Sequence, residues 1–167
     1  MINTNKQTIN VITLNITSAV NCVSPLGEAI KALCLYATGS ECYALDVHRA
    51  VVEALNNVIL HAYSSQDGHD IIVQWSQEKD SLRIDITDYG LSMQVLPEPV
   101  LPEFDAESGR GWWIINSCLD EYYYKVVEYR QTNKLYKPNS ANGYSEDFMV
   151  KSHSNVLTLI KHFQAAS

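Results

Sequence analysis

The chain has 167 residues, 46% of them hydrophobic and 19% charged, which predicts one domain with a full core and excludes a disordered or fibrous chain. Lys plus Arg number 12 against 19 Asp plus Glu, a formal net charge of −7, and without a basic cluster this balance argues against nucleic acid as the main partner. Cys22, Cys34, Cys42 and Cys118 form no C-x-x-C pair, Met1–Asn10 has no apolar signal core, and no run reaches the roughly 18 apolar residues of a membrane span, so a reducing, cytoplasmic setting is expected.

Ile9 to Ile16 is rich in β-branched residues with partial alternation and reads as a strand. From Pro25 to Ala37, apolar Leu26, Ala29, Ile30, Leu33 and Cys34 recur at helical spacing, and Gly39 ends that helix. Ala44 to Ala62 has neither Gly nor Pro and predicts the longest helix, with Asp46 near its start, where a carboxylate suits the helix dipole. Ile71–Trp75 and Leu82–Ile86, joined by a polar turn at Glu78-Lys79-Asp80, predict a hairpin. Three of the five prolines fall between Leu96 and Pro102, so Gln94 to Ser108 is expected to be a long irregular loop of the kind that forms lids. A short helix from Gly111 to Leu119 follows, and strands Tyr122–Tyr129 and Val156–Phe163 close the chain. Helices alternate with hairpins, which predicts a two-layer α/β sandwich (an α+β fold): a mixed, mostly antiparallel sheet with helices on one face.

Three sets of residues carry chemistry. Glu53, Asn57 and His61 stand at i, i+4 and i+8 on an otherwise apolar helix, so they share one face. They read either as a solvated stripe or as a proton acceptor beside an oxygen ligand for a hard cation. Asp88-Tyr89-Gly90 ends an apolar strand: by itself a turn signal, but also an acceptor for a ligand's amino group, with a glycine that lets a flat ring come close. Ser108-Gly109-Arg110-Gly111 opens a helix, which is either a hinge or a phosphate cradle of backbone N–H groups. Trp112, Trp113, Ile114 and Ile115 read as core, with one Trp available to a partner surface.

In this order, Glu53-x-x-x-Asn57-x-x-x-His61-Ala62, Asp88-x-Gly90, a long loop and Gly109-x-Gly111 resemble the N, G1 and G2 boxes of the GHKL ATPase superfamily. Val52 to Asn57 with His61-Ala62-Tyr63, Gly109 to Ile115 with Leu119-Asp120-Glu121, and the closing Asn155 to Lys161 are similar to the anti-sigma-factor serine/threonine kinases of bacterial transcription regulation. The resemblance covers Ile9 to Phe163 and implies a Bergerat-type fold. It also implies Mg²⁺ and ATP as cofactors and phosphorylation of a serine on a small anti-sigma factor antagonist. A sigma factor is implied as second partner, in a partner switch, and the chain itself as a homodimer, with no nucleic acid or membrane contact. By position, Glu53 would be the catalytic base, Asn57 the Mg²⁺ ligand, Asp88 the acceptor for the adenine amino group, and Gly90 the residue beneath the ring. Ser108, Gly109, Arg110 and Gly111 would form part of the lid over the phosphates.

Two departures stand out. Leu91-Ser92-Met93 replaces the flexible residues that often follow the G1 glycine, which predicts a stiffer lid hinge. Within the single domain 1–167, an insertion at about 131–154 separates strands that the family joins by a short turn; it is either a tolerated surface insertion or a partner-recognition element. The alternative function is a nucleotide-gated binding module that sequesters a regulator without phosphorylating it. Glu53 argues for the kinase, because a pure binder needs no base there. A sensor histidine kinase would need a dimerisation helix pair with a phosphoacceptor His, for which the chain has no room.

Overall fold

In the computed structural model, which describes residues 10–101, 109–136 and 144–164, alternation of buried and more exposed residues in the central hairpin organises a five-stranded sheet. The strands are β1 (Asn10–Thr17), β2 (Asp70–Gln77), β3 (Ser81–Asp88), β4 (Glu121–Tyr136) and β5 (Tyr144–His162). Their spatial order is β1-β2-β3-β5-β4, and every pairing among the described residues is antiparallel. Ile71, Val73 and Trp75 of β2 pair in register with Leu14, Ile84 and Ile86 and their neighbours, so one face of the sheet is continuously apolar.

Helices α1 (Val23–Thr38), α2 (Glu41–Asn57) and α3 (Arg110–Cys118) cover that face. Ile30 and Cys34 from α1, Val47, Val51 and Leu55 from α2, and Ile115 from α3 are all fully buried against Leu82, Ile84, Ile86 and Leu159. Each such side chain contributes about 1.5–3 kcal/mol by leaving water. Pro25 lies in the first turn of α1, where its missing N–H has no helical partner to lose. Gly39 closes α1 with φ 66°. The two-layer sandwich and the single helical face follow the expectation from the alternation of helices and hairpins. No helix among the described residues is long and apolar enough to cross a membrane.

Three local features differ from the sequence reading. The long helix is α-helical only to Asn57; Val58–Ala62 continues it as a wider π turn, in which the Tyr63 N–H donates to the Val58 carbonyl at 3.0 Å. The turn is held from outside, since the Ala62 carbonyl accepts the Leu91 N–H at 2.8 Å. Asp46 is more than a turn inside α2, not at its start, and pairs with Lys161 of β5 at 3.3 Å. The same ammonium donates to the Cys118 carbonyl at 2.8 Å, so it closes the C-terminal end of α3. Finally, β4 and β5 run beyond Tyr129 and Val156. From Val127↔Ser154 to Tyr136↔Tyr144 they pair only with each other, so the described part of the 131–154 segment is a two-stranded ribbon.

Candidate functional site

The site forms where β3 ends. Asp88, the last residue of β3, lies opposite Asn155 of β5. Asp88 is only 5% exposed. Burial pushes its carboxyl above the ordinary carboxylate range, and the donors beside it oppose that shift. Those donors are the Asn155 amide (2.7 Å) and the Gly90 N–H (2.9 Å), both on Oδ1.

Gly90 is required by the protein's own backbone. A Cβ there would stand 2.4 Å from the Ala62 carbonyl oxygen and 2.6 Å from its carbon. The close approach anticipated for a ligand ring is therefore already made by the end of the π turn. Tyr63 locks the same junction: its hydroxyl donates to the Asp70 carbonyl (2.7 Å) and accepts the Tyr89 N–H (2.9 Å). Burial raises the Tyr63 hydroxyl above its usual range.

Beyond Gly90 the chain is tied to the sheet. The Ser92 hydroxyl donates to Asn155 Oδ1 (2.6 Å), the Met93 N–H to the Tyr124 hydroxyl (3.0 Å), and His153 Nε2 lies 2.8 Å from the Gly90 carbonyl. With the Leu91 N–H on the Ala62 carbonyl, the Leu91-Ser92-Met93 departure is thus anchored at three points.

These elements enclose a cavity of about 340 Å³, within the range of about 300–1,000 Å³ usual for small-molecule sites. Ala54, Val58, Leu91, Met93, Trp112 and Leu157 give it apolar walls, and Asn57, His61, Asp88, Ser92 and Tyr124 supply the polar groups. An apolar slot with one carboxylate suits a flat heterocycle that carries an amino group. Asn57 and His61 both line this cavity although the π turn breaks their i, i+4 spacing; His61 is exposed, whereas Asn57 Nδ2 is buried with no hydrogen-bond partner.

Glu53 is one turn before Asn57 on α2 and faces α3. A Cβ at Gly111 would meet Glu53 Oε2 at 3.2 Å and both amide atoms of Asn57 at 3.4 Å, so the absence of a side chain at Gly111 lets α3 lie directly over the two groups. Glu53 opens not into the main cavity but into a neighbouring cleft of about 370 Å³ between α2 and α3, with Arg49, Trp113 and Ser117 among its walls. Trp113 is 37% exposed there, while Trp112 turns inward, 5.8 Å from the Tyr122 ring.

Gly109, with φ 93°, leads into α3 and offers no side chain to cap it. Arg110 is exposed beside it. Ser108, assigned to the lid in the sequence reading, lies outside the described residues.

A divalent cation fits this constellation. Among the described residues no cluster of three His, Cys, Asp or Glu could hold a metal by itself. Mg²⁺ needs no such cluster, because it binds through one or two protein oxygens together with substrate phosphates and water. The side-chain amide of Asn57 beside Glu53 is a group of that kind: its oxygen could ligate a cation, and its Nδ2 is buried with no hydrogen-bond partner.

Asp88 and Asn57 line one cavity, Gly90 follows Asp88 at its edge, and Gly111 lies over Asn57 and Glu53. Asn155, Tyr63, Tyr124 and Ser92 were not singled out for the site. The alternation of β5 could have placed Asn155 on the inward face, but only strand pairing puts it beside Asp88.

The family profile described as "Histidine kinase-like ATPase domain" matches residues 16–135. Three curated proteins called "Anti-sigma F factor" are similar to the chain. The one from Clostridium perfringens strain SM101 is 28% identical over 94 residues, which is 53% of this chain and 64% of that protein. Those from Clostridium perfringens strains ATCC 13124 and 13 are 28% identical over 80 residues, 45% of this chain and 57% of theirs. The matched stretch therefore spans less than two thirds of each relative.

Proposed function

The chain belongs to the histidine kinase-like ATPase domain family, and from that premise we propose that it is an anti-sigma factor with kinase activity. In this reading it binds ATP with Mg²⁺, phosphorylates a serine of an anti-sigma factor antagonist, and holds a sigma factor, as a homodimer, when the antagonist is absent or phosphorylated. The observation that carries the proposal is the division of labour around Gly111. Asn57, whose Nδ2 is buried without a partner, borders the heterocycle cavity, while Glu53, one turn away, opens on a separate cleft. A base acting on a second, protein substrate needs that second entrance.

The roles follow from the chemistry of each group. Asp88 accepts the adenine 6-amino hydrogen, between walls such as Trp112 and Leu157 that exclude water. Asn57 offers its amide oxygen to the cation, and the start of α3 offers N–H groups to the phosphates. When bound, Mg²⁺ would offset the charge of the phosphates. Glu53 takes the serine proton as the serine oxygen bonds to the terminal phosphorus and the bond from that phosphorus to the leaving diphosphate oxygen breaks. Positioning and charge supply most of such a reaction.

The test is to incubate the purified chain with γ-labelled ATP, Mg²⁺ and the antagonist domain encoded nearest to it. Label on an antagonist serine, lost on omitting Mg²⁺, is the expected result. Tight ATP binding with no label on any antagonist overturns the kinase reading and leaves the nucleotide-gated binding module.

A further inference from the structure

We infer that Asn155 is a positioning residue for nucleotide recognition: it sets Asp88 so that one carboxylate oxygen, Oδ2, is reserved for the purine, and it couples that setting to the closed turn Gly90–Met93. The inference rests on reading the cavity as a nucleotide site.

Asn155 is 0% exposed, and all of its side-chain hydrogen-bonding groups are engaged. Its Nδ2 donates to Asp88 Oδ1 at 2.7 Å and to the Gly90 carbonyl at 3.1 Å, and its Oδ1 accepts the Ser92 hydroxyl at 2.6 Å. The amide can face only one way. Turned round, its oxygen would confront the Asp88 carboxylate and the Gly90 carbonyl, two acceptors, at the same distances.

The consequence falls on Asp88. Oδ1 takes two donors, Asn155 and the Gly90 N–H, and no donor among the described residues meets Oδ2. An aspartate otherwise turns broadly about its last bond. The Asn155 amide removes that freedom and leaves one oxygen, on a cavity-lining residue, for a ligand donor. It also supplies a donor that favours the ionised form of the buried carboxyl, against the effect of burial. Without it the carboxyl would take up a proton more readily. A protonated carboxyl both donates and accepts, so it no longer distinguishes a 6-amino from a 6-oxo purine. Asn155 therefore sets selectivity, and not merely affinity.

Discrimination between ATP and inosine triphosphate, which carries a 6-oxo group, reads this directly. The wild type should prefer ATP by about 10- to 150-fold, the value of one hydrogen bond to a charged group. Asn155→Leu should lower that ratio by about tenfold or more, with inosine triphosphate affinity changed by less than about threefold. A merely structural role would weaken both nucleotides alike, and an unchanged ratio overturns the proposal.

Asn155→Asp keeps the volume and serves where the leucine variant does not fold. The introduced carboxyl can donate to Asp88 Oδ1 only while it carries the pair's one proton, so ATP preference should be present while that proton is held and fall as pH rises and it is lost, leaving Oδ1 without this donor. The other titratable groups around Asp88 are Tyr63, Tyr124 and His153; they remain in the wild type, which is the reference over the same pH range. A pH profile identical to that of the wild type also overturns the proposal. Asp88→Ala separates the levels. If it erases the ATP preference while Asn155→Leu keeps it, the role of Asn155 is refuted and the nucleotide reading stands. If Asp88→Ala retains the wild-type ratio, the adenine assignment fails and takes the role of Asn155 with it.

Discussion

Replacing Asp88 with asparagine should stabilise the fold at neutral pH and at the same time remove its preference for ATP. Asp88 is 5% exposed, and burial raises its carboxyl above the usual range. A raised carboxyl means that the folded state holds its proton more tightly than the unfolded state does. The stability this confers is fully present below the unfolded pKa and is lost as pH rises through the folded one. At neutral pH the ionised group is thus a cost that the neutral amide of Asp88→Asn avoids, while its oxygen can still accept from Asn155 and Gly90. Its new NH₂ would face the 6-amino group of adenine, donor against donor, but would match a 6-oxo group. Loss of a charge-assisted bond costs about 1.5–3 kcal/mol, or roughly 10- to 150-fold in ATP affinity. Calorimetric titrations with ATP and GTP, with denaturant unfolding between acid and neutral pH, read both effects. The variant should gain stability over the wild type as pH rises and lose its preference for ATP. An unchanged ATP affinity would refute the adenine assignment, and a stability difference that narrows with rising pH would refute the burial argument.

Gly90→Ala places a Cβ 2.4 Å from the Ala62 carbonyl oxygen, and overpacking of this kind should cost about 1–3 kcal/mol in denaturant unfolding; an unperturbed midpoint would show that the π turn yields freely. Removing Gln131 to Val150, whose described residues pair with each other in the ribbon, and closing the gap with a two-residue turn should leave ATP affinity within about twofold, because His153, Asn155 and their bonds remain; a larger loss in titration would tie the ribbon to the nucleotide site. Lys161→Met breaks the links to Asp46 and to the Cys118 carbonyl and should lower stability by about 1–3 kcal/mol, with a thermal scan as the check.

Much of the fold is legible in local pattern. The alternation in Ile71–Trp75 and Leu82–Ile86 marks a half-buried hairpin, and the apolar spacing from Leu26 to Cys34 marks α1 up to Gly39. What pattern misses is set by partners distant in the chain. Asp46 looks like a helix-start carboxylate until Lys161 arrives from β5. The π turn depends on Leu91 and Tyr89, more than two dozen residues away from its start. The ribbon is polar and lacks a strong period, so only its backbone pairing reveals it. In the site, Asn57, Asp88, Gly90 and Gly111 are readable because each motif is local. Asn155 reaches Asp88 across 67 positions, and no spacing rule in one sequence connects the two.

The most direct test of the kinase account is Glu53→Gln, assayed for ATP binding and for transfer of labelled γ-phosphate to the antagonist in the same preparation. Glutamine keeps the size of the side chain beneath Gly111 but cannot act as the base. General-base contributions are about 10²–10⁴-fold, so transfer should fall by that factor while ATP affinity changes by less than about threefold, the loss being confined to the transition state. Transfer by Glu53→Gln at the wild-type rate would contradict the account.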